Sequence, residues 1–414
     1  MRMNKYGFAT LLLFFLMTQC SQAQSADQNE VLVQENNWTQ RKEDAIGKYL
    51  DKEYEEAIQL LKDFPVEDTA WVTANYFYVS ANLAAEHHAE AIRAAQQGLS
   101  VNPSPFRRSL FDLLASSYAD VDKFDSAMLV YQAGAKEFPQ YYRFYFGIGL
   151  SYKGLKEYDK AMQYLQYAVR LNPYHGLSHY YLGLMCMQNN YIVPAMLSFQ
   201  MQMLVDDPGD RSLISLTSYE KMAQGGWLVP KDSLYWKMPE GVNNFQDVEK
   251  LIRSKIALSD KYKSKVALNY PTVVKQMQLL YEQLQYNAAD TGFWMQYYVP
   301  YVKEIWSNEH FAATVYQAFA AVNNDDVSKQ VKKNLPAITK MAVFAKEYWD
   351  KKRSEYWLKQ KLVEKSPWFN SNGSLKSLGE YDEKLIHSIG YWQYFNSGPY
   401  LNNEGEYDSQ GKEQ

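Results

Sequence analysis

Tyr145-Phe146-Gly147-Ile148-Gly149-Leu150-Ser151-Tyr152, carried on by Tyr158, Ala161, Leu165, Ala168 and Pro173, is the stretch that decides the fold. Large apolar residues at helical spacing give two amphipathic helices, and the glycines and Ala161 let those helices approach closely. Pro173 stops the second helix. The same pattern stands upstream as Phe111, Leu114, Ala115, Tyr118, Phe124, Ala127, Tyr131 and Pro139, and downstream as His179, Leu182, Gly183, Cys186, Ala195 and Phe199. It weakens around Ala91, and around Ala57 only the second helix reads well. The five alanines Ala57, Ala91, Ala127, Ala161 and Ala195 are separated by 34, 36, 34 and 34 residues. A fixed period of this size means one supersecondary unit stacked on copies of itself.

The pattern of aromatic, Leu-Gly, Tyr, later Ala, Phe and a closing Pro resembles the tetratricopeptide repeat (TPR), over residues 41–208. The resemblance implies a mainly α fold, a TPR helical-repeat superhelix whose first helices line a peptide-binding groove. Carried onto the matching positions, that groove holds Tyr76 from the Ala91 copy and Asp112 and Ser116, with Asp120, from the next. Arg143, Phe146, Leu150 and Lys153 follow, then Leu177, Tyr180, Leu184 and Met187. The expected groove is weakly acidic at its start and apolar and aromatic at its end. The Lys/Asn/Arg clamp of chaperone-binding TPR proteins is missing, so capture of a C-terminal Glu-Glu-Val-Asp peptide is not expected. A capping helix at about Arg211–Gln224 is the alternative fate for Tyr180, Leu184 and Met187, which it would cover as core.

The N-terminus reads as a signal peptide, residues 1–23. Arg2 and Lys5 precede the apolar run Phe8–Met17, and Ser21-Gln22-Ala23 is a small-x-small cleavage pattern. Lipid attachment at Cys20 is the lesser reading, because Gln19 fills the place a lipobox gives to a small residue. Cleavage takes away Arg2 and Lys5 and no carboxylate, moving the formal net charge from −4 to −6. That balance speaks against nucleic acid, which favours a basic stripe. No later run is long and apolar enough for a transmembrane segment. The expected location is exported, periplasmic or associated with the outer membrane. Cys186 would then be the remaining cysteine, a small hydrophobe at a repeat core position.

A linker (24–40) leads into the repeats, and a capping helix and linker (209–244) rich in Gly, Pro and Asn leads out. A second helical domain is expected over 245–365, either degenerate repeats or a distinct unit. Its stripes are Val248, Leu251, Ile252, Ile256 and Leu258, then Val273, Val274, Met277, Leu280 and Leu284, then an aromatic helix Phe293–Tyr301 kinked at Pro300. The charged stretch Lys346–Lys361 reads as a solvated helix face with Tyr348, Trp349, Trp357 and Leu358 inward. In 366–414, the fifteen residues from Trp368 realign with those from Tyr394, 26 positions on, with eight identities. Alternating aromatic and polar residues around Asn-Gly and Ser-Gly-Pro predict a small antiparallel β-hairpin unit. The segment resembles MORN (membrane occupation and recognition nexus) repeats. TPR, signal and MORN-like segments together resemble envelope proteins of Bacteroidota.

No catalytic motif is present: no Walker A loop, no Gly-x-Ser-x-Gly and no His-Glu-x-x-His. His175 and His179 stand four apart, but no third ligand completes a metal site. The expectation is a non-enzymatic scaffold with no cofactor and no metal. Its partners would be other envelope proteins, held in the TPR groove, with the C-terminal hairpins as a second surface. A TPR-based ligand- or glycan-binding envelope protein is the alternative, given an aromatic content of 15%.

Overall fold

The structure, a computed structural model, describes residues 38–66, 70–101, 104–225, 237–238, 243–370, 375–381, 388–395 and 401–407. The signal peptide, most of the 24–40 linker and part of the 209–244 linker lie outside these residues. The fold is mainly α. The helices are α1 (38–50), α2 (Tyr54–Leu61), α3 (Trp71–Ala84), α4 (His88–Ser100), α5 (Arg107–Ala119), α6 (Phe124–Glu137), α7 (Tyr142–Gly154), α8 (Tyr158–Leu171), α9 (Gly176–Gln188), α10 (Ile192–Val205) and α11 (Asp210–Ala223). After them come α12 (Gln246–Arg253), α13 (Pro271–Gln283), α14 (Val299–Ser307), α15 (Phe311–Ala318), α16 (Asp325–Lys333) and α17 (Leu335–Lys359).

From α1 to α10 the helices follow one another as antiparallel pairs of the TPR type. The turn inside each pair holds one residue in the left-handed region: Lys52, Glu86, Asp122, Lys156 and Asn190, with φ between 57° and 64°. Each stands five residues before its recurring alanine. In the fourth pair, Glu157 N–H donates to Tyr152 O at 2.8 Å and Lys156 N–H to Lys153 O at 3.1 Å. These two bonds form a Schellman cap, which uses the last carbonyls of the first helix and reverses the chain. All five recurring alanines are 0% exposed.

The chain divides into two compact units after Val130, within α6. In the first, Ala57, Ile58, Leu61, Trp71, Ala74 and Val79 centre the core. Asn75 Nδ2 donates to Ala94 O at 3.1 Å and Tyr78 OH to Glu90 Oε1 at 2.7 Å, tying α3 to α4.

In the second unit α7 approaches α8 closely at Gly149, where a Cβ would lie 3.1 Å from Leu165 and 3.3 Å from the Ala161 carbonyl, while at Gly147, which faces Tyr131 instead, a Cβ would come within 2.2 Å of that ring. α10 is enclosed: every residue from Ile192 to Met203 is buried. α9 and α11 pack on it, as do α12, α15 and the turn before α14. One hydrophobic core therefore runs from Ala161 in α8 to Trp349 in α17.

Two stripes differ from the sequence reading, and the aromatic one refines it. The stripe from Val248 to Leu258 is not one helix: α12 ends at Arg253, Lys255 turns left-handed (φ 56°), and a 3-10 turn Ile256–Leu258 leaves Ile256 56% exposed. The aromatic segment runs without a break from Phe293 through a π-turn, Trp294–Tyr298, into α14, so the helix is distorted over the turn just before Pro300. On α17 the inward face is Trp349, Arg353 and Trp357, at steps of four, while Leu358 is 38% exposed because nine residues from Trp349 is half a revolution away.

The C-terminal strands β1 (Pro367–Phe369), β2 (Leu375–Tyr381), β3 (Ser388–Phe395) and β4 (Leu401–Tyr407) form one antiparallel sheet in sequence order. The 26-residue repeat reappears in its register. Phe369 pairs with Leu375 across a bulge at Trp368/Phe369, and Phe395 pairs with Leu401 across a bulge at Tyr394/Phe395. β1 docks on α17. Phe369, Trp357 and Leu171 share a small core, and Ser354 Oγ donates to Pro367 O at 3.0 Å. The Arg353 guanidinium lies 3.9 Å from the Phe369 ring centre and 4.7 Å from that of Trp357, and its Nε donates to Leu171 O at 2.5 Å. Burial pulls the Arg353 pKa down to about 10, so the side chain stays cationic at neutral pH.

Candidate protein-binding faces

The residues expected to line a groove fall in both units, and each unit presents its own set. In the first, Tyr76 of α3 is half-buried and stacks on Phe106 with ring centres 4.5 Å apart and planes 12° apart. Ser116 donates to the Asp112 carbonyl at 2.8 Å. Asp112 itself is only 8% exposed, so the acidic character expected of this part rests on exposed Asp120. Asp120 lies 4.0 Å from His88.

In the second unit, Arg143, Phe146, Leu150 and Lys153 stand on α7 at i, i+3, i+7 and i+10, a spacing that puts all four on one helix face. Arg143 is exposed, and Phe146, Leu150 and Lys153 are half-buried. Tyr180, Leu184 and Met187 on α9 are likewise half-buried, their inner sides against the core. Capping by α11 is therefore incomplete: these residues are neither core nor fully exposed.

Two further residues join this face. His175, at the N-cap of α9, meets the Phe146 ring edge-on at 4.7 Å, and Tyr181 lies 5.9 Å from Phe146 with the Lys153 ammonium 5.9 Å over its ring. Burial, reinforced by the Arg143 cation, pulls the His175 pKa down to about 3, so it packs as a neutral ring. The repeat alignment passes over Tyr181 because it falls between aligned positions. His175 precedes the helix that carries the motif.

His179 is not a ligand in waiting. It is 0% exposed, with Nε2 2.7 Å from Pro173 O and Nδ1 2.6 Å from Tyr298 OH. A carbonyl can only accept, so Nε2 carries the hydrogen and Nδ1 accepts from the tyrosine. Burial pulls its pKa down to about 4. Among the described residues no three His, Cys, Asp or Glu side chains gather as a metal site. Cys186 is buried, and burial pushes its thiol pKa well up, away from thiolate chemistry. A cavity of about 250 Å³ between α10, α15 and α17 has Met201, Leu204, Ile338, Met341 and Trp349 among its walls. Tyr174, Tyr301, Gln317 and Lys346 bring polar groups to the same walls. No described helix is long and apolar enough to cross a membrane.

No protein-family model and no curated protein matches the chain. Solved structures do. MamA 41-end from Desulfovibrio magneticus RS-1 is 21% identical over 36% of this chain and 84% of its own, with a TM-score of 0.33. PilF of Pseudomonas aeruginosa is 14% identical over 46% of this chain and 84% of its own, with a TM-score of 0.39. A further MamA crystal structure is 27% identical over 33% and 74%, with a TM-score of 0.31. Scores this low add no weight; the fold assignment rests on the periodic turns and buried alanines of this chain.

Proposed function

We propose that the chain is a non-enzymatic interaction scaffold of the cell envelope. In this reading it holds an apolar segment of another envelope protein against the first-helix face of α7 and α9. The observation that supports it is the half-burial of Phe146, Leu150, Tyr180, Tyr181, Leu184 and Met187 on two consecutive first helices. Partly exposed aromatic and methionine side chains held in place by a rigid core are what a binding face needs. The envelope location rests on the signal-like residues 1–23, and the MORN-like reading of 366–414 on the 26-residue repeat and its matching bulges.

A photo-crosslinking residue at Tyr181, set against one at exposed Gln163 on α8, tests the reading in the exported protein. Crosslinks to one protein from Tyr181 alone, lost in Tyr180→Ser/Leu184→Ser with the melting temperature kept within a few degrees, are expected. Equal crosslinks from both positions would sink it.

A further inference from the structure

The stretch Lys250–Lys265 carries Lys250, Arg253, Lys255, Lys261, Lys263 and Lys265 against a single carboxylate, Asp260, in a chain whose formal net charge is −4. It links α12 to α13. Lys250 pairs with Asp247 at 3.1 Å, and Arg253 donates to Gly225 O at 2.7 Å. The Lys265 ammonium lies 4.0 Å over the Trp306 ring. Exposed Lys255, Lys261 and Lys263 have no carboxylate within ion-pair distance among the described residues.

The loop is lashed down. Lys265 N–H donates to Gln278 Oε1 at 2.8 Å, Gln278 Nε2 to Lys263 O at 3.2 Å, Lys275 Nζ to Ser259 O at 3.0 Å and Tyr262 OH to Glu282 Oε2 at 2.6 Å. Within this fixed frame the left-handed turn at Lys255 sends Ala257 into the core, 0% exposed, and leaves Ile256 56% exposed beside the lysine.

We propose that this loop docks on an anionic lipid bilayer, with Ile256 entering the acyl boundary and the lysines lying against the headgroup phosphates. Charge complementarity calls for an anionic partner, and the exposed isoleucine chooses among them. A hydrated polyanion gains nothing from an apolar tip, whereas a bilayer removes it from water. Lysines suit this role because each is a flexible point charge that follows mobile headgroups.

Co-sedimentation of the full chain tests the proposal, using vesicles of phosphatidylethanolamine with phosphatidylglycerol and vesicles of phosphatidylcholine alone. The N-terminal segment is common to all variants, so its contribution cancels. Binding to the anionic vesicles, weakened by salt, is expected. Lys255→Gln/Lys261→Gln/Lys263→Gln should weaken it on the order of 100-fold, about fivefold per lysine, and Ile256→Ser roughly tenfold, both at unchanged melting temperature. Failure of the wild type to bind anionic vesicles would overturn the proposal. So would equal binding by the triple variant. Unchanged binding by Ile256→Ser, or capture of polyglutamate or duplex DNA in preference to vesicles, would do the same and assign the patch to a soluble polyanion.

Discussion

The hairpins α7–α10 and the segment 246–359 share one core but reach it by opposite routes. In the hairpins each helix packs on its chain neighbour, with Ala161 and Ala195 at the crossings and a Schellman turn between partners. In the later segment the ties are long-range. Trp294 Nε1 donates to Ser198 Oγ at 2.8 Å, Tyr297 OH to Val169 O at 3.2 Å, Tyr174 OH to Asp350 Oδ1 at 2.8 Å, and Arg353 reaches Leu171 O. The repeat supplies a local, repeated solution; the later segment closes its end by polar latches. Damage to a latch should therefore undo distant structure, and damage inside a hairpin should stay near its own value.

Arg353→Ala should produce the largest effect. It removes a buried stem, its bond to the end of α8, and the cation that lies against both the Phe369 and Trp357 rings, which themselves meet edge-on at 5.3 Å. A loss of about 3–4 kcal/mol is expected, with new proteolytic cleavage around residues 360–366 as β1 leaves α17. Destabilisation without such cleavage would mean that the sheet is held by its apolar contacts alone.

His179 and His175 set the acid limit together. His179 is held neutral in the fold, its pKa pulled from 6.5 to about 4 by burial. Between those values the unfolded chain binds the extra proton. Its contribution is therefore complete above about pH 6.5, falls as pH drops towards 4 and is flat below, for a total on the order of 3 kcal/mol. Urea unfolding at several pH values should show this loss. His179→Gln should make that limb shallower while lowering stability at neutral pH, and the part that remains is that of His175, whose pKa burial pulls down to about 3.

How much of this was legible in the sequence follows from the same contrast. Ala161, Gly183 and Pro173 announce the hairpins because local packing repeats at a fixed spacing. The left-handed positions are silent, since Lys52, Glu86, Asp122, Lys156 and Asn190 share a conformation but no side-chain type. The later segment is harder to read because its partners lie far apart. Nothing near Arg353 says that the carbonyl of Leu171 waits for it, so a charged stretch reads as a solvated face. Phe146, Tyr180, Leu184 and Met187 were legible as a first-helix stripe, but Asp112 was not legible as buried, because helical phase alone does not give the depth of a neighbouring helix.

Within a hairpin, Ala161→Leu should overpack the α7–α8 crossing at a cost of about 1–3 kcal/mol. Lys160→Leu should change stability by less than about 0.5 kcal/mol, because Lys160 is exposed and its pair with Glu157 lies at the surface. Similar shifts in melting temperature for both would mean that the repeat's inward face is misplaced.

The smallest effect is the sharpest test of whether the two regions share an origin in geometry. The α14–α15 turn repeats the hairpin signature: Glu309 has φ 60°, His310 N–H donates to Ile305 O at 2.9 Å and Glu309 N–H to Trp306 O at 3.2 Å. Five residues on stands Thr314, 0% exposed, where the repeats have alanine. Yet α15 packs on α10 and α17. A side chain at a left-handed position is strained where glycine is not. Lys156→Gly relieves that strain but loosens the unfolded chain, for a net gain of about 0.5–1 kcal/mol. Glu309→Gly should gain as much if the later turn is the same device. A gain at Lys156 with a loss at Glu309, read from urea midpoints at constant slope, would show that the later turn is held by α10 and α17 and only resembles the repeat.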